Sequence, residues 1–182
     1  MILNSRNNNF IVRFQRNFFF PDIVSKYETY IKRLPIPYDN LQDYMTASVQ
    51  AITFPSLSAE TVEQTLYEDP IKAKGGLRPI YYLDRNFTLT FKSYEGYINY
   101  WVWFDMFFAY YNLDQKEKYL GDVTLTFLDQ SGFEFVAVEL GQIVMTNLSA
   151  LELNYSSNTA DFTNFTADFS YNYINIKKRL DQ

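Results

Sequence analysis

Glu134 and Glu139 are carboxylates of the kind that work in pairs as general acid and base, as in glycoside hydrolysis. Nothing in the pattern around them positions the two against one bond. Asp129 with Glu134 likewise lacks the spacing of a calcium-binding loop. Gly75-Gly76, flanked by Lys72, Lys74 and Arg78, invites comparison with a phosphate cradle, yet the chain has no Gly-x-x-x-x-Gly-Lys-Ser/Thr spacing. Histidine and cysteine are absent from all 182 residues. Thiol nucleophiles, imidazole bases, Ser-His-Asp triads, disulfides and nearly all zinc, copper and haem sites are thereby excluded. The expectation is a protein that is not an enzyme, with no catalytic residue, no metal and no cofactor.

Charge narrows the partners. Sixteen Lys and Arg stand against 21 Asp and Glu, a formal net charge of −5, which argues against wrapping nucleic acid, since phosphate contacts need cations. The imbalance is segregated. Residues 1–92 carry 11 basic and 9 acidic groups (+2), whereas residues 93–182 carry 5 and 12 (−7), and no Lys or Arg occurs from Tyr119 to Ile176. Strands built from that stretch present only neutral or acidic groups on a wet face until Lys177-Lys178-Arg179. The start of the chain, Met1-Ile2-Leu3 followed by polar Asn4 to Asn9, does not fit a secretory signal, and synthesis in a cytoplasm is expected. The sequons at Asn86, Asn147, Asn154 and Asn164 then read as products of Asn/Thr-rich strands. The longest apolar run, Trp101 to Tyr111, is 11 residues long and contains Asp105, too short to cross a bilayer, which takes about 20.

The elements that position these side chains are mostly strands. Phe10–Phe14 reads as a short strand closed by Pro21. Residues 18–44, with Pro35 and Pro37, read as an extended arm with one helical turn near Val24–Ile31. Alternation over Met45–Phe54 and Ala59–Glu68, separated by Pro55-Ser56-Leu57-Ser58, predicts one long hairpin. Asn86–Lys92 is the cleanest central strand, apolar at Phe87, Leu89 and Phe91. From Tyr97 to Asn112 the period changes to helical, and the aromatics from Trp101 to Tyr111 are expected to be core. Asp122–Phe127 echoes residues 86–91, and Asp129-Gln130-Ser131-Gly132 turns into a strand over Phe133–Val138. Gln142–Tyr155 is extended, with a slip around Leu148–Ala150 that suggests a bulge. The last strand, residues 162–174, alternates most regularly: Phe165, Ala167, Phe169, Tyr171 and Tyr173 face one way, and Asn164, Thr166, Asp168, Ser170 and Asn172 the other.

This order of elements resembles the tail tube proteins of contractile-tailed bacteriophages, which share a fold with secretion-system tube proteins. The residues that carry the resemblance are the loop Ala73-Lys74-Gly75-Gly76-Leu77-Arg78, the strand Asn86–Lys92 with Gly96 after it, Trp101 and Trp103 on the helix, and Val123–Gly132. It covers residues 45–176 and lies in arrangement more than in an invariant motif. It implies a mainly β fold with one covering α-helix: an antiparallel sandwich or barrel of the tail-tube type, over residues 1–182 as a single domain with an arm at 18–44, contributing strands to a hexameric ring barrel.

A structural role follows from the resemblance. Six copies would form a ring, rings would stack into a tube in a virion tail, and sheath, tape-measure and baseplate proteins would be partners, with DNA only in passage and no membrane. The lumen would be lined by Ser48, Gln50, Glu63, Asn164, Thr166, Asp168, Ser170 and Asn172. Lys72, Lys74, Gly75, Gly76 and Arg78 would contact the next ring or subunit. The arm leaves room for a baseplate tube-initiator or another tail-ring protein on the same fold. From a different class, a monomeric β-barrel binding a small apolar ligand would need an apolar inward face.

Overall fold

The computed structural model of the protein describes residues 9–35, 37–59, 61–66, 69–76, 83–112, 114–151, 153 and 163–179. Ten strands and three α-helices are found among them. One antiparallel sheet has the order β1 (Phe10–Phe14), β6 (Val123–Leu128), β7 (Glu134–Gly141) and β10 (Tyr173–Lys178). A second has the order β2 (Val49–Thr53), β5 (Asn86–Lys92), β9 (Asn164–Ser170) and β8 (Val144–Leu148). A two-stranded ribbon, β3 (Thr61–Leu66) with β4 (Asp69–Lys74), belongs to neither. The helices are α1 (Pro21–Ile31), α2 (Leu41–Ser48) and α3 (Ile98–Tyr110).

Alternation decides which face of each sheet is dry. Val12, Phe14, Val123, Leu125, Val138 and Leu140 from the first sheet join Phe87, Leu89, Phe91, Phe165, Ala167 and Phe169 from the second in one buried cluster. At its centre stands Trp103 of α3, ringed by Phe14, Phe18, Phe19, Phe91 and Phe169 with centroids 5.3 to 5.9 Å away. Most of these pairs are edge-on or tilted, the arrangement ring quadrupoles favour. The entry to α3 is a tight turn in which Gly96 and Tyr97 both take positive φ, +69° and +54°.

Five expectations change. Among the described residues there are three α-helices, where one covering helix and one helical turn near Val24–Ile31 were expected. Residues 18–44 are not an extended arm: Phe18, Phe19, Ile23, Ile31, Leu41 and Tyr44 are buried, and α1 and the start of α2 occupy the span. The long hairpin over 45–68 does not form. Asn40 caps α2 by accepting from the Asp43 N–H (2.8 Å), and Leu41, Tyr44, Met45 and Ser48 share the buried face of that helix, so a period of 3.6 wins over the alternation of the same residues. β2 then pairs with β5, and β3 with β4. Finally, the chain changes sheets inside the expected strand 162–174. The Tyr171 N–H donates to Arg85, next to β5, and the Asn172 N–H donates to Gly141 of β7, so β9 ends and β10 begins. The bulge in β8 falls between Met145 and Asn147, earlier than the expected slip.

The single charged side chain of α3 ties it to α1. Asp105 accepts from the Lys26 ammonium (2.5 Å) and the Tyr27 hydroxyl (2.6 Å), both on α1. Partial burial pushes its carboxyl up, but those bonds outweigh burial and hold it below the ordinary 3.8. The sign of the linkage follows. A depressed carboxyl stabilises the fold above its unfolded value, and that contribution is lost as pH falls below 3.8 towards the folded value. Asp105→Asn should therefore flatten the acid limb of a stability-against-pH curve, read by urea unfolding at successive pH values. Packing gives a second outcome. A Cβ on Gly121 would lie 2.7 Å from Asn17 Oδ1 and 2.9 Å from the Phe18 nitrogen, so Gly121→Ala should cost about 1–3 kcal/mol in the same assay.

Candidate assembly surface

The second sheet has a dry face committed to the core and a polar face turned away from it. Along β5 and β9 the buried residues are Phe87, Leu89, Phe91, Phe165, Ala167 and Phe169; between them Thr88, Thr90, Thr166, Asp168 and Ser170 are half-buried, and Asn86 and Asn164 exposed. Cross-strand register sets these side chains in rows. Thr53, Thr88, Asp168 and Asn147 form one row across all four strands. Asp168 is its hub, accepting from the Thr88 hydroxyl (2.6 Å) and the Asn147 amide (2.9 Å), while Ser170 donates to Asn86 (2.6 Å). The face is thus a lattice of small hydroxyl and amide groups around one carboxylate, with Lys92 of β5 opposite Asn164 at one end.

The expected lumen residues divide. Asn164, Thr166, Asp168 and Ser170 share this face, and Gln50 is exposed on β2 at the bulge between Val49 and Ala51. Ser48 cannot line a lumen: it is the last residue of α2, 1% exposed, and its hydroxyl donates to the Met45 carbonyl (2.7 Å). Asn172 lies past the end of β9, where its amide donates to the Gln142 carbonyl (3.3 Å). Glu63 is on the ribbon, opposite Lys72, and pairs with it across 3.3 Å. Lys72 and Lys74 are strand residues of β4, with Gly75 and Gly76 directly after; Arg78 lies outside the described residues. Thr88, Thr90 and Asn147 were missed, although the Thr88 and Thr90 positions are legible as the polar phase of Asn86–Lys92. Asn147 carries no sequence signal beyond its sequon.

Both outer strands of this sheet, β2 and β8, have an open edge among the described residues. Such edges are templates for strand addition unless covered. The ribbon adds a second unfinished surface: Val62 and Ala73 pair on one of its faces, Val62 and Ile71 are more than half exposed, and an isolated two-stranded ribbon is marginal in water. The aromatics of α3 also divide. Trp103 is core, as expected, but Trp101, Phe108 and Tyr111 are 45%, 65% and 53% exposed.

No protein-family model and no curated protein matches the sequence. Solved structures do match it over nearly its whole length. The tube-terminating cap of the anti-feeding prophage superposes with a TM-score of 0.57 at 12% identity, covering 98% of this chain and 94% of that one. A chain of the sheath-tube complex of the extracellular contractile injection system PVC, in its extended state, gives 0.56 at 14% identity, covering 97% and 93%. The PVC sheath/tube terminator gives 0.55 at 15% identity, covering 97% and 98%. The chain has the antiparallel, tail-tube type of fold seen in these contractile-injection-system components.

Asp168 provides the local test of the polar face. Asp168→Ala removes the shared acceptor of Thr88 and Asn147, each of which has access to water, so a loss of about 1 kcal/mol is expected in urea unfolding. Asp168→Asn, which keeps one acceptor oxygen, should recover part of it.

Proposed function

We propose that this chain is a structural subunit that closes into a ring, with β2, β5, β9 and β8 of each copy forming part of one barrel around a lumen, and that rings stack into a tube. The observation that carries this reading is the second sheet: four antiparallel strands, both edges open, one face buried and one face polar. Because the strand number is even, β2 of a second copy placed beside β8 runs antiparallel to it. Copies related by rotation then continue the same alternation, and closure leaves no edge. Hexameric closure is the reading drawn from the family resemblance.

The polar face then lines the channel, with Gln50, Asn164, Thr166, Asp168 and Ser170 from each copy. Apart from Lys92 at the end of β5, the face offers hydroxyls, amides and a carboxylate already held by two donors, so passing DNA finds few phosphate partners and slides without sticking. The ribbon, with Lys72, Lys74, Gly75 and Gly76, reaches towards a neighbouring ring or subunit, which would cover Val62 and Ile71. Sheath, tape-measure and baseplate proteins are the further partners, in a tail particle, and the chain is not an enzyme. An end ring that starts or terminates the tube is the second reading, favoured by the similarity to a terminating cap and a terminator. The apolar-ligand barrel is disfavoured, because Trp103 and its surrounding phenylalanines fill the space between the sheets.

Negative-stain microscopy over a range of concentrations tests the proposal. Rings or tubes with a central hole are expected; dispersed single particles at every concentration, without a template, would remove the main-tube reading. Asp168→Lys should keep the rings but make them retain short DNA in a filter-binding assay, with retention falling steeply as salt rises, whereas unmodified rings retain none. Equal retention would remove the lumen assignment.

A further inference from the structure

The two ends of α3 are tied to α2 just ahead of β2 and to β8, the two outer strands of the second sheet. Tyr94, before the helix, donates its hydroxyl to the Ala47 carbonyl (2.8 Å), just ahead of β2; Tyr111, after it, donates to the Met145 carbonyl of β8 (2.5 Å). The second acceptor belongs to the open edge. Along β9 the Tyr171 N–H bonds to Arg85 and the Thr163 carbonyl accepts from Ser93, so odd-numbered residues turn their backbone groups towards β5. The Thr166 carbonyl accepts from Ser149, so even-numbered residues turn theirs towards β8. Met145 stands opposite Phe169 and Leu148 opposite Ala167, both odd-numbered, so the backbone groups of Met145 and Leu148 point away from the sheet. Tyr111 covers the first of these two positions and leaves the second open.

The other edge has a matching group. Ile52 of β2 stands opposite Leu89, which bonds towards β9, so the N–H and carbonyl of Ile52 also point outward. Val49 offers only its carbonyl, since its N–H already donates to Thr46. Ile52 and Leu148 are both on the apolar side of the sheet, and setting them opposite each other also sets Thr53 beside Asn147 on the polar side. Register follows such matching of faces.

We infer that Tyr111 guards the Met145 end of the β8 edge and so directs β2 of a second copy to the edge from Leu148 onward. This rests on the ring reading above and adds to it a residue that selects the register. Tyr111 is half-exposed, so its hydroxyl, rather than packing of its ring in the core, is the feature that acts on the edge.

The absence of cysteine makes the register readable by cross-linking. Residues that exchange both hydrogen bonds across antiparallel strands have Cα atoms about 5.5 Å apart, within the roughly 4.4–6.8 Å reach of a disulfide. On oxidation, Ile52→Cys combined with Leu148→Cys should give a ladder of covalent oligomers beyond the dimer. Ile52→Cys with Met145→Cys should give none, and adding Tyr111→Phe to that pair should produce one. Since Met145 is buried, Ala51→Cys with Thr146→Cys, both exposed, probes the same blocked register if the first pair does not fold. A ladder at Met145 with Tyr111 intact would overturn the inference, as would the absence of every ladder in preparations whose micrographs show rings. If unmodified chain and Tyr111→Phe both stay dispersed at all concentrations, with a template tube as well as without one, the ring reading fails and takes the inference with it; rings without ladders sink the inference alone.

Discussion

The packing of Trp103 against phenylalanines from both sheets and from the segment before α1 is the constraint on which the rest depends. It fixes the dry face of the second sheet, because Phe91 and Phe169 contact the indole from that sheet. Once Phe91 and Phe169 point inward, strand alternation turns Thr88, Asp168 and Ser170 outward together. The polar lattice is therefore a consequence of the aromatic core, which takes 10 of the chain's 35 aromatic residues into buried positions among the described residues. Burying a ring of this size contributes more than any single polar contact on the opposite face.

The remaining surfaces follow from what that core leaves unfinished. A four-stranded sheet packed on one face has two edges, and the chain treats them differently. β2 begins directly at the end of α2, with the Val49 N–H used as a helix cap, and β8 is partly covered by Tyr111. Natural sheets commonly manage exposed edges by bulges and local cover; here both outer strands carry a register shift, between Val49 and Ala51 and between Met145 and Asn147. Charge follows the same division of labour. Residues 119–176, which build β6 to β9 and most of β10, contain no Lys or Arg, whereas the ribbon carries Lys72 and Lys74. Apart from Lys92 of β5, the polar face of the described strands carries no Lys or Arg, because its β8 and β9 side chains come from that stretch.

Strands were legible wherever a period of two ran between clear turn signals. Asn86–Lys92, the Asp129–Gly132 turn and the polar phase at Asn164, Thr166, Asp168 and Ser170 could be read directly, since alternation needs only local sterics and one buried face. The helical period of α3 was legible for the same reason. Composition alone removed thiol and imidazole chemistry. What the order of residues could not decide were the places where two local patterns compete or where a partner lies far along the chain. Residues 45–48 alternate, yet the Asn40 cap and the buried face of Leu41, Tyr44, Met45 and Ser48 make them helix, which takes Ser48 off the polar face. Tyr171 and Asn172 continue a perfect alternation, yet hydrogen bonds to Arg85 and to Gly141 place them on different sheets. Trp101 and Trp103 are chemically alike and two residues apart, and the position of the two sheets alone makes one core and the other surface. The sequence by itself determined which residues alternate and which chemistries are absent, because those depend on neighbours and on composition. Tertiary structure decided which edges stay open and what covers them, because long-range pairing and burial are properties of the assembled sheets and not of any one segment.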